Sequence, residues 1–523
     1  MKKLLAAGLG LVVLGACSGS PSRPSPSTSG PVETATPAPV TTLEDLVPGL
    51  DGTETAPPAS PLAAAKPLTL AVAGTAGTGA WQASTVGLSF ESSDLADPRW
   101  EPENSDLALL LDALGHPSLR FGGNSADRRV WWTSSNEPAP TWATVTVTPA
   151  DLQRVARMAH TTRSTVTLVL DLGHHDPARA ADMAAHARKA FGKSLLAVTI
   201  GNEPNGFALA SQPQLKLRPA TWGVADYIAQ ATTYAQKIHA TTPGLPIAGP
   251  GAYDAPWWRA FAESGITPKA ALTQHWYPLW SCAGRTDGDP LSSPTVANLL
   301  SARTHQRAVT TMTMAKQVAA THDLPLWMEE TGPTSCSGSA ISGTPAQALW
   351  SIDYLLTAAR LGVGRVNMHS TLLACGMGNP MSTVCGTDRT PTSQLRGRDG
   401  YLGLLFASQT GTGTVREIQT GDPAVRGYQV ATSTGVDVVL INTADPSTSG
   451  AHPIIWKAGT SLSLDEASWL ASPTPGTRDT TRMAMLHPSP LDEVDSLPAG
   501  SAMLVRFSSA TTATKAPPGS TMP

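Results

Sequence analysis

The chain has 523 residues and a formal net charge of −4, with 36 Lys and Arg set against 40 Asp and Glu and no basic cluster. That balance excludes nucleic acid as a partner, because neutralising phosphates takes a concentrated Lys/Arg surface. The 14 Trp outnumber both the 7 Tyr and the 7 Phe, a bias that suits stacking on sugar faces as well as burial.

In chain order the elements begin with a leader. Lys2 and Lys3 precede an apolar run from Leu4 to Leu14 that is too short to span a bilayer, and Leu14-Gly-Ala-Cys17 follows. Residues 1–17 therefore read as a signal peptide. Its ending resembles a bacterial lipobox, in which Cys17 takes a lipid and holds the exported chain on the outer face of the cell membrane. No later stretch approaches the roughly 18 uninterrupted apolar residues of a spanning helix, so the membrane is expected to be touched only through that lipid. Residues 18–66 are dominated by Ser, Pro, Thr, Ala and Gly. With almost nothing aromatic to bury, they read as a disordered tether with a reach on the order of 40 Å. The tail, 509–523, has the same character.

The remaining body of about 440 residues exceeds what one core usually supports. Short apolar runs alternate there with helical patterns. Strands are expected at Val86–Glu91, Ser118–Phe121, Thr165–Leu172, Leu196–Asn202, Pro246–Gly249, Ala271–Trp276, Leu324–Glu330 and Gly364–His369. Helices are expected from Thr148, a capping residue followed by Pro149, to about His160, and over 177–191, 220–241, 295–320 and 344–361. Eight β-then-α units predict a (β/α)8 TIM barrel over 67–400. Glu91, Asn124, His174, Asn202, Glu203, His275, Tyr277, Glu330 and His369 all fall at the C-terminal ends of these strands or just beyond, on the face where such barrels carry their active sites. From about Tyr401 the pattern changes to short alternating runs at Gly427–Ala431, Gly435–Asn442, Ser461–Leu464 and Ser501–Phe507. These predict a C-terminal antiparallel β-sandwich over 401–508, to which Leu68–Ala73, within 67–81, adds a strand.

Cys282, Cys336, Cys375 and Cys385 form an even set without CxxC or His-rich spacing, which in an exported protein favours two disulfides over metal ligation. Four Cys allow three connectivities; Cys282 with Cys336 and Cys375 with Cys385 is the preferred one. His174-His175-Asp176 contains common metal ligands, but adjacent His seldom present to one ion, so the cluster reads as hydrogen-bonding lining. No metal and no cofactor is expected, and the chain is expected to be a monomer.

Glu203 in Thr199-Ile-Gly-Asn-Glu-Pro-Asn205 and Glu330 in Leu326-Trp-Met-Glu-Glu-Thr-Gly332 each close an apolar strand with a carboxylate where the chain turns. Two such carboxylates are the minimum equipment for cleaving a glycosidic bond, one acid for the leaving oxygen and one base or nucleophile for the developing oxocarbenium ion.

Gly201-Asn-Glu-Pro204 and Glu330-Thr-Gly332 resemble the clan A retaining glycosidases. Val86-Gly-Leu-Ser-Phe-Glu91, Leu119-Arg-Phe-Gly-Gly-Asn-Ser-Ala-Asp127, Gln274-His-Trp-Tyr-Pro278 and Ala348-Leu-Trp-Ser-Ile-Asp-Tyr354 bring the resemblance closer to glycoside hydrolase family 79, the heparanase and bacterial β-glucuronidase family, over about residues 68–507. The resemblance implies Glu203 as acid/base, Glu330 as nucleophile with the carboxyl groups about 5–5.5 Å apart, and a double displacement with retention. It further implies Asn202 on the sugar 2-hydroxyl, Tyr277 hydrogen-bonding the nucleophile, and Glu91, Asn124 and Asp127 lining the terminal-sugar subsite. His275 and His369 read as hydrogen-bonding lining of the same site. Adjacent strand residues face opposite ways, so only one of Glu329 and Glu330 is expected in the barrel mouth, and the following Thr-Gly selects Glu330.

Family 79 sites bind a uronate carboxylate partly through backbone amides of a Gly-rich segment after the nucleophile. Thr334-Ser-Cys-Ser-Gly-Ser339 departs from that pattern, leaving Arg120, Arg128 and Arg285 as candidate carboxylate partners. The sequence leaves open a β-glucuronide or related oligosaccharide, a neutral sugar such as arabinose or galactose, and a non-catalytic glycan-binding lipoprotein.

Overall fold

The computed structural model describes residues 41–50, 57, 59–104, 106–211, 213–283, 288–336, 338–375, 382–388, 390, 392–472, 484–486 and 494–509. The leader with Cys17, most of the tether, Arg285 and the tail beyond Ser509 lie outside the described residues.

Eight parallel strands close a barrel in which each pairs with its sequence neighbours: Val86–Glu91, Ser118–Gly122, Thr165–Leu170, Leu195–Ile200, Ile247–Ala252, Lys269–Trp276, Leu326–Thr331 and Val363–Ser370. The expected (β/α)8 architecture is thus the observed one. Helices such as Pro149–Thr161, Pro177–Phe191 and Pro345–Arg360 start with proline at their first turn and pack around the ring. The expected segment 295–320 divides into Val296–Leu299 and Ala302–Ala320, because Ser301 caps a new helix through Thr304.

The region expected to open the sandwich instead contains one more helix, Asp399–Ser408. Tyr401, Leu402, Leu404, Leu405 and Phe406 are all buried. An all-round apolar helix shows no amphipathic period, which is why the sequence did not announce it. The sandwich follows. Seven strands, Gly79–Trp81, Gly413–Glu417, Val425–Thr432, Gly435–Asn442, Ser501–Ser509, Leu462–Ala471 and Ala484–Leu486, form one sheet. Leu68–Val72 joins His452–Ala458 and Ser496–Leu497 in the other, as the N-terminal alternation predicts. Leu70, Val438, Val505 and Phe507 belong to the core between them, while Val430, Val439 and Leu504 belong to the barrel's core cluster.

The tether expectation needs correcting at its end. Leu43–Leu46 forms a helical turn whose Thr42 and Asp45 cap each other, and Leu46 and Val47 are fully buried in the main core. Two apolar side chains in an otherwise Pro- and Thr-rich stretch suffice to dock it. Both disulfides have the preferred connectivity, Cys282–Cys336 and Cys375–Cys385. No helix among the described residues is long and apolar enough to cross a membrane.

Candidate active site

Glu203 and Glu330 approach each other across the C-terminal mouth of the barrel. Glu203 follows the fourth strand on a turn where Gly201 has φ +78° and Glu203 itself φ +49°, a left-handed conformation unusual for a residue with a side chain. Leu172 sits where a Cβ on Gly201 would go, so only glycine permits this turn. The Glu203 amide donates to the Gly251 carbonyl at the end of the fifth strand, at 2.9 Å, fixing the carboxylate over the cleft. Glu330 ends the seventh strand. There the register against the sixth strand slips, pairing Gln274 with Met328 but His275 with Glu330. The slip turns both neighbouring glutamates inward: Glu329 accepts from Thr199 across the barrel, at 3.2 Å, while Glu330 reaches the mouth. The simple alternation that assigns them to opposite faces fails at this irregularity.

One cation organises the centre. Arg120, fully buried on the second strand, donates to Glu330 Oε2 at 2.5 Å, to Asn202 Oδ1 at 2.7 Å and to Ser89 Oγ at 2.9 Å. Tyr277 donates its hydroxyl to Glu330 Oε1 at 2.9 Å. Burial alone pushes the Glu330 carboxyl up. His275, Arg120, His369 and the Tyr277 hydrogen bond outweigh it and hold the group down at about 2, so Glu330 is ionised at any physiological pH. Burial and the nearby glutamates push the Tyr277 phenol well above its usual range, so it remains a donor.

His275 joins the two carboxylates. Its Nδ1 lies 3.1 Å from Glu203 Oε1 and 3.9 Å from Glu330 Oε2, and its Nε2 lies 3.4 Å from Arg120. Carboxylate oxygens of Glu203 and Glu330 and a nitrogen of His275 all lie within 4.8 Å of one another. Glu91 and His369 form the opposite wall: His369 Nε2 is 3.9 Å from Glu91 Oε1, and its Nδ1 is 3.8 Å from Glu330 Oε1. Asn202 is buried, and its Nδ2 has no partner among the described residues.

The structure therefore gathers Glu203, Glu330, Asn202, Tyr277, His275, Glu91 and His369 into one cluster. Two expected lining residues stand elsewhere. Asp127 is fully buried, its carboxylate used up by the backbone N–H groups of Leu172, Gly173 and Asn202. Asn124 is exposed and accepts from Arg128, whose remaining donors go to the Leu215 carbonyl. Arg120, entertained as a partner for a substrate carboxylate, is spent on Glu330. Its inward placement was legible, since Leu119 and Phe121 turn outward on either side of it. The His174-His175-Asp176 cluster disperses: His174 pairs with Asp171 and stacks on Trp142 at 3.6 Å, His175 leans toward Tyr234, and Asp176 caps Pro177–Phe191.

The wall carrying Tyr277 is tied to the one following Glu330. Thr331 Oγ1 donates to the Trp276 carbonyl and Thr334 Oγ1 to the Leu279 carbonyl, both at 2.6 Å, and Cys282–Cys336 joins the same two loops. Thr334 and Cys336, in the segment expected in the place of a uronate-binding one, are thus braced to the sixth-strand loop.

Comparison with known proteins gives the fold a context. No family model matches the chain. Over 196 residues, 34% of this chain and 34% of the relative's length, it is 28% identical to a β-glucuronidase from Neurospora crassa. Among solved structures, a 4-O-α-L-rhamnosyl-β-D-glucuronidase from Fusarium oxysporum is 18% identical, with a TM-score of 0.63 over 83% of this chain and 100% of that one. A family 51 α-L-arabinofuranosidase from Bifidobacterium longum is 14% identical, with a TM-score of 0.59 over 84% and 99% of the two chains. The fold is one shared with barrel glycosidases.

Proposed function

We propose that the chain is a retaining β-glycosidase of the family 79 type, acting on a β-glucuronide or a related glycan. The observation that supports it most is the pair of carboxylates meeting within 4.8 Å, one of them held ionised by Arg120, His275 and His369. The nearest oxygens of the two groups stand no more than 4.8 Å apart, and close-set carboxylates of this kind suit double displacement, since an inverting pair stands farther apart to admit a water. Glu330 attacks the anomeric carbon while Glu203 gives its proton to the departing glycosidic oxygen. Glu203 then takes a proton from water, which displaces Glu330 and restores the original configuration. Asn202 Nδ2 donates to the sugar 2-hydroxyl as charge develops, and Tyr277 holds the nucleophile's rotamer.

A second reading, a neutral sugar such as arabinose or galactose, is favoured by one observation. Among the described residues, Arg120 and Arg128 both direct their guanidinium groups to protein acceptors, so neither offers a free cation to a uronate carboxylate.

A panel of 4-nitrophenyl β-glycosides, comprising glucuronide, galactoside, glucoside and xyloside, with the α-L-arabinofuranoside, tests both. The expected result is turnover of one member with the retained anomer seen first by NMR, lost in Glu203→Gln and Glu330→Gln chains that stay folded. Inverted product refutes the mechanism. Oligosaccharide binding without product after long incubation replaces it with a non-catalytic glycan-binding role. On the cell we place the protein as a monomer anchored by a lipid on Cys17; intact-mass analysis of the exported chain and its Cys17→Ser variant checks the lipid.

A further inference from the structure

Asp127 is fully buried beside the turn that carries Asn202 and Glu203. Its Oδ1 accepts from the backbone N–H of Leu172 at 2.7 Å and of Gly173 at 3.0 Å, and its Oδ2 from the backbone N–H of Asn202 at 2.7 Å. It thereby joins the loop after the third strand to the turn that carries Asn202 and Glu203. The fit is close, since a Cβ on Gly173 would stand 2.4 Å from the Asp127 carbonyl oxygen and 3.1 Å from its Cβ. Arg218 holds the other side of that loop by donating to the Leu172 and Gly173 carbonyls.

We propose that Asp127 is a positioning residue, and that its ionised carboxylate, by gripping the Asn202 backbone, sets the acid limit of the activity assigned above. The inference rests on that glycosidase reading for its consequence, not for its geometry. The charged carboxylate accepts these three N–H bonds more strongly than the neutral acid does, and the acid adds an O–H donor among groups that only donate to it. A proton on Oδ2 weakens the hold on the Asn202 N–H; a proton on Oδ1 weakens the hold on Leu172 and Gly173. Either event loosens one of the two segments, and with it the placement of Asn202 Nδ2 and of the strained Glu203 turn.

The surroundings decide when the proton arrives. Full burial and the Asp171 carboxylate raise the Asp127 carboxyl to about 6, against the lowering by its backbone donors and Arg128. Asp171 comes from the loop after the third strand and pairs with His174. Tyr234 faces the site from Val224–Thr241, its phenol pushed up by burial and by Asp171 and Asp127. Glu91, held by the Ser125 N–H, and Glu203, next to Asn202, complete the charged groups around it. Glu330, held at about 2, cannot produce an acid limit near 6. Glu203, Glu91, His275 and His369 also border the site, and the test separates them from Asp127.

The experiment has two readouts on the full exported chain. Labelling with [1-13C]glycine and [15N]asparagine leaves three Gly–Asn pairs, 123–124, 201–202 and 378–379, so the Asn202 amide can be followed without substrate. A second sample labelled in leucine carbonyl and glycine nitrogen follows Gly173. Both amides are expected to titrate with one midpoint near 6 in the parent, and neither in Asp127→Asn. On the 4-nitrophenyl glycoside that the parent hydrolyses fastest, kcat is expected to fall about tenfold per pH unit below that midpoint. Asp127→Asn is expected to be about 10- to 100-fold slower at pH 7 and flat from pH 5 to 7, with KM changed less than about threefold. Parent amides that do not titrate together overturn the proposal, even if the variant fails to fold. So does an Asp127→Asn acid limb that superimposes on the parent's, which assigns the limb to another group. Absence of turnover on every glycoside refutes the glycosidase reading, and the amides alone then decide whether Asp127 is the anchor.

Discussion

Replacing Tyr277 by Phe removes a single oxygen, the one that donates to Glu330 Oε1 at 2.9 Å, and leaves the ring that packs beside it. A hydrogen bond to a charged acceptor contributes roughly 1.5–3 kcal/mol, equivalent to raising the Glu330 carboxyl by roughly one to two pH units. From about 2 that leaves it below the ordinary glutamate value of 4.5, because Arg120, His275 and His369 remain. The nucleophile therefore stays ionised at neutral pH and the acid limb stays where it is. What is lost is orientation. The kcat for the aryl glycoside is expected to fall about 10- to 100-fold, the kinetic equivalent of that energy, with KM and the melting temperature nearly unchanged. Steady-state rates from pH 4 to 8, with a thermal melt on the same preparation, make the measurement. A rate within twofold of the parent, or a rate recovered by raising the pH, would refute the argument that the hydroxyl orients an already charged carboxylate.

Four further outcomes follow from the same geometry. Glu203→Gln is expected to lose at least about 100-fold on a poor leaving group such as an alkyl or sugar alcohol and far less on 2,4-dinitrophenol, which needs no proton to depart; equal losses on both remove Glu203 from the acid role. The double variant Cys282→Ser/Cys336→Ser opens a loop of sequence separation 54 and is expected to lose about 2–4 kcal/mol in urea unfolding. Leu46→Ala is expected to cost about 2–4 kcal/mol, whereas a segment lying free of the core would show no change. Tyr428→Phe removes the donor to Asp353 Oδ1 between the sandwich and helix Pro345–Arg360, leaving Asp353 with His305, and is expected to cost about 1–3 kcal/mol with activity per folded molecule unchanged.

The sequence by itself determined the architecture and the main carboxylate pair. Eight apolar runs bounded by turn signals, and a switch of period beyond them, gave the barrel and the sandwich, because burial on a closed sheet imposes a pattern on every strand. It also determined that polar residues cluster at the strands' C-terminal ends, and the Cys order favoured the observed disulfides. Tertiary structure decided what those residues do to one another. Asp127 and Glu91 look alike as acids near strand ends, yet one is enclosed by three amides and the other borders the cleft. Glu329 and Glu330 both turn inward because of a register slip that no period announces. Arg120 became the centre of the site only when the ring closed and brought its guanidinium within 2.5 Å of the Glu330 carboxylate at the end of the seventh strand. Periodicity reports which way a side chain leaves its own strand, whereas charge, hydrogen bonding and proton affinity depend on groups from tens to more than two hundred residues away, and only the closed fold places those.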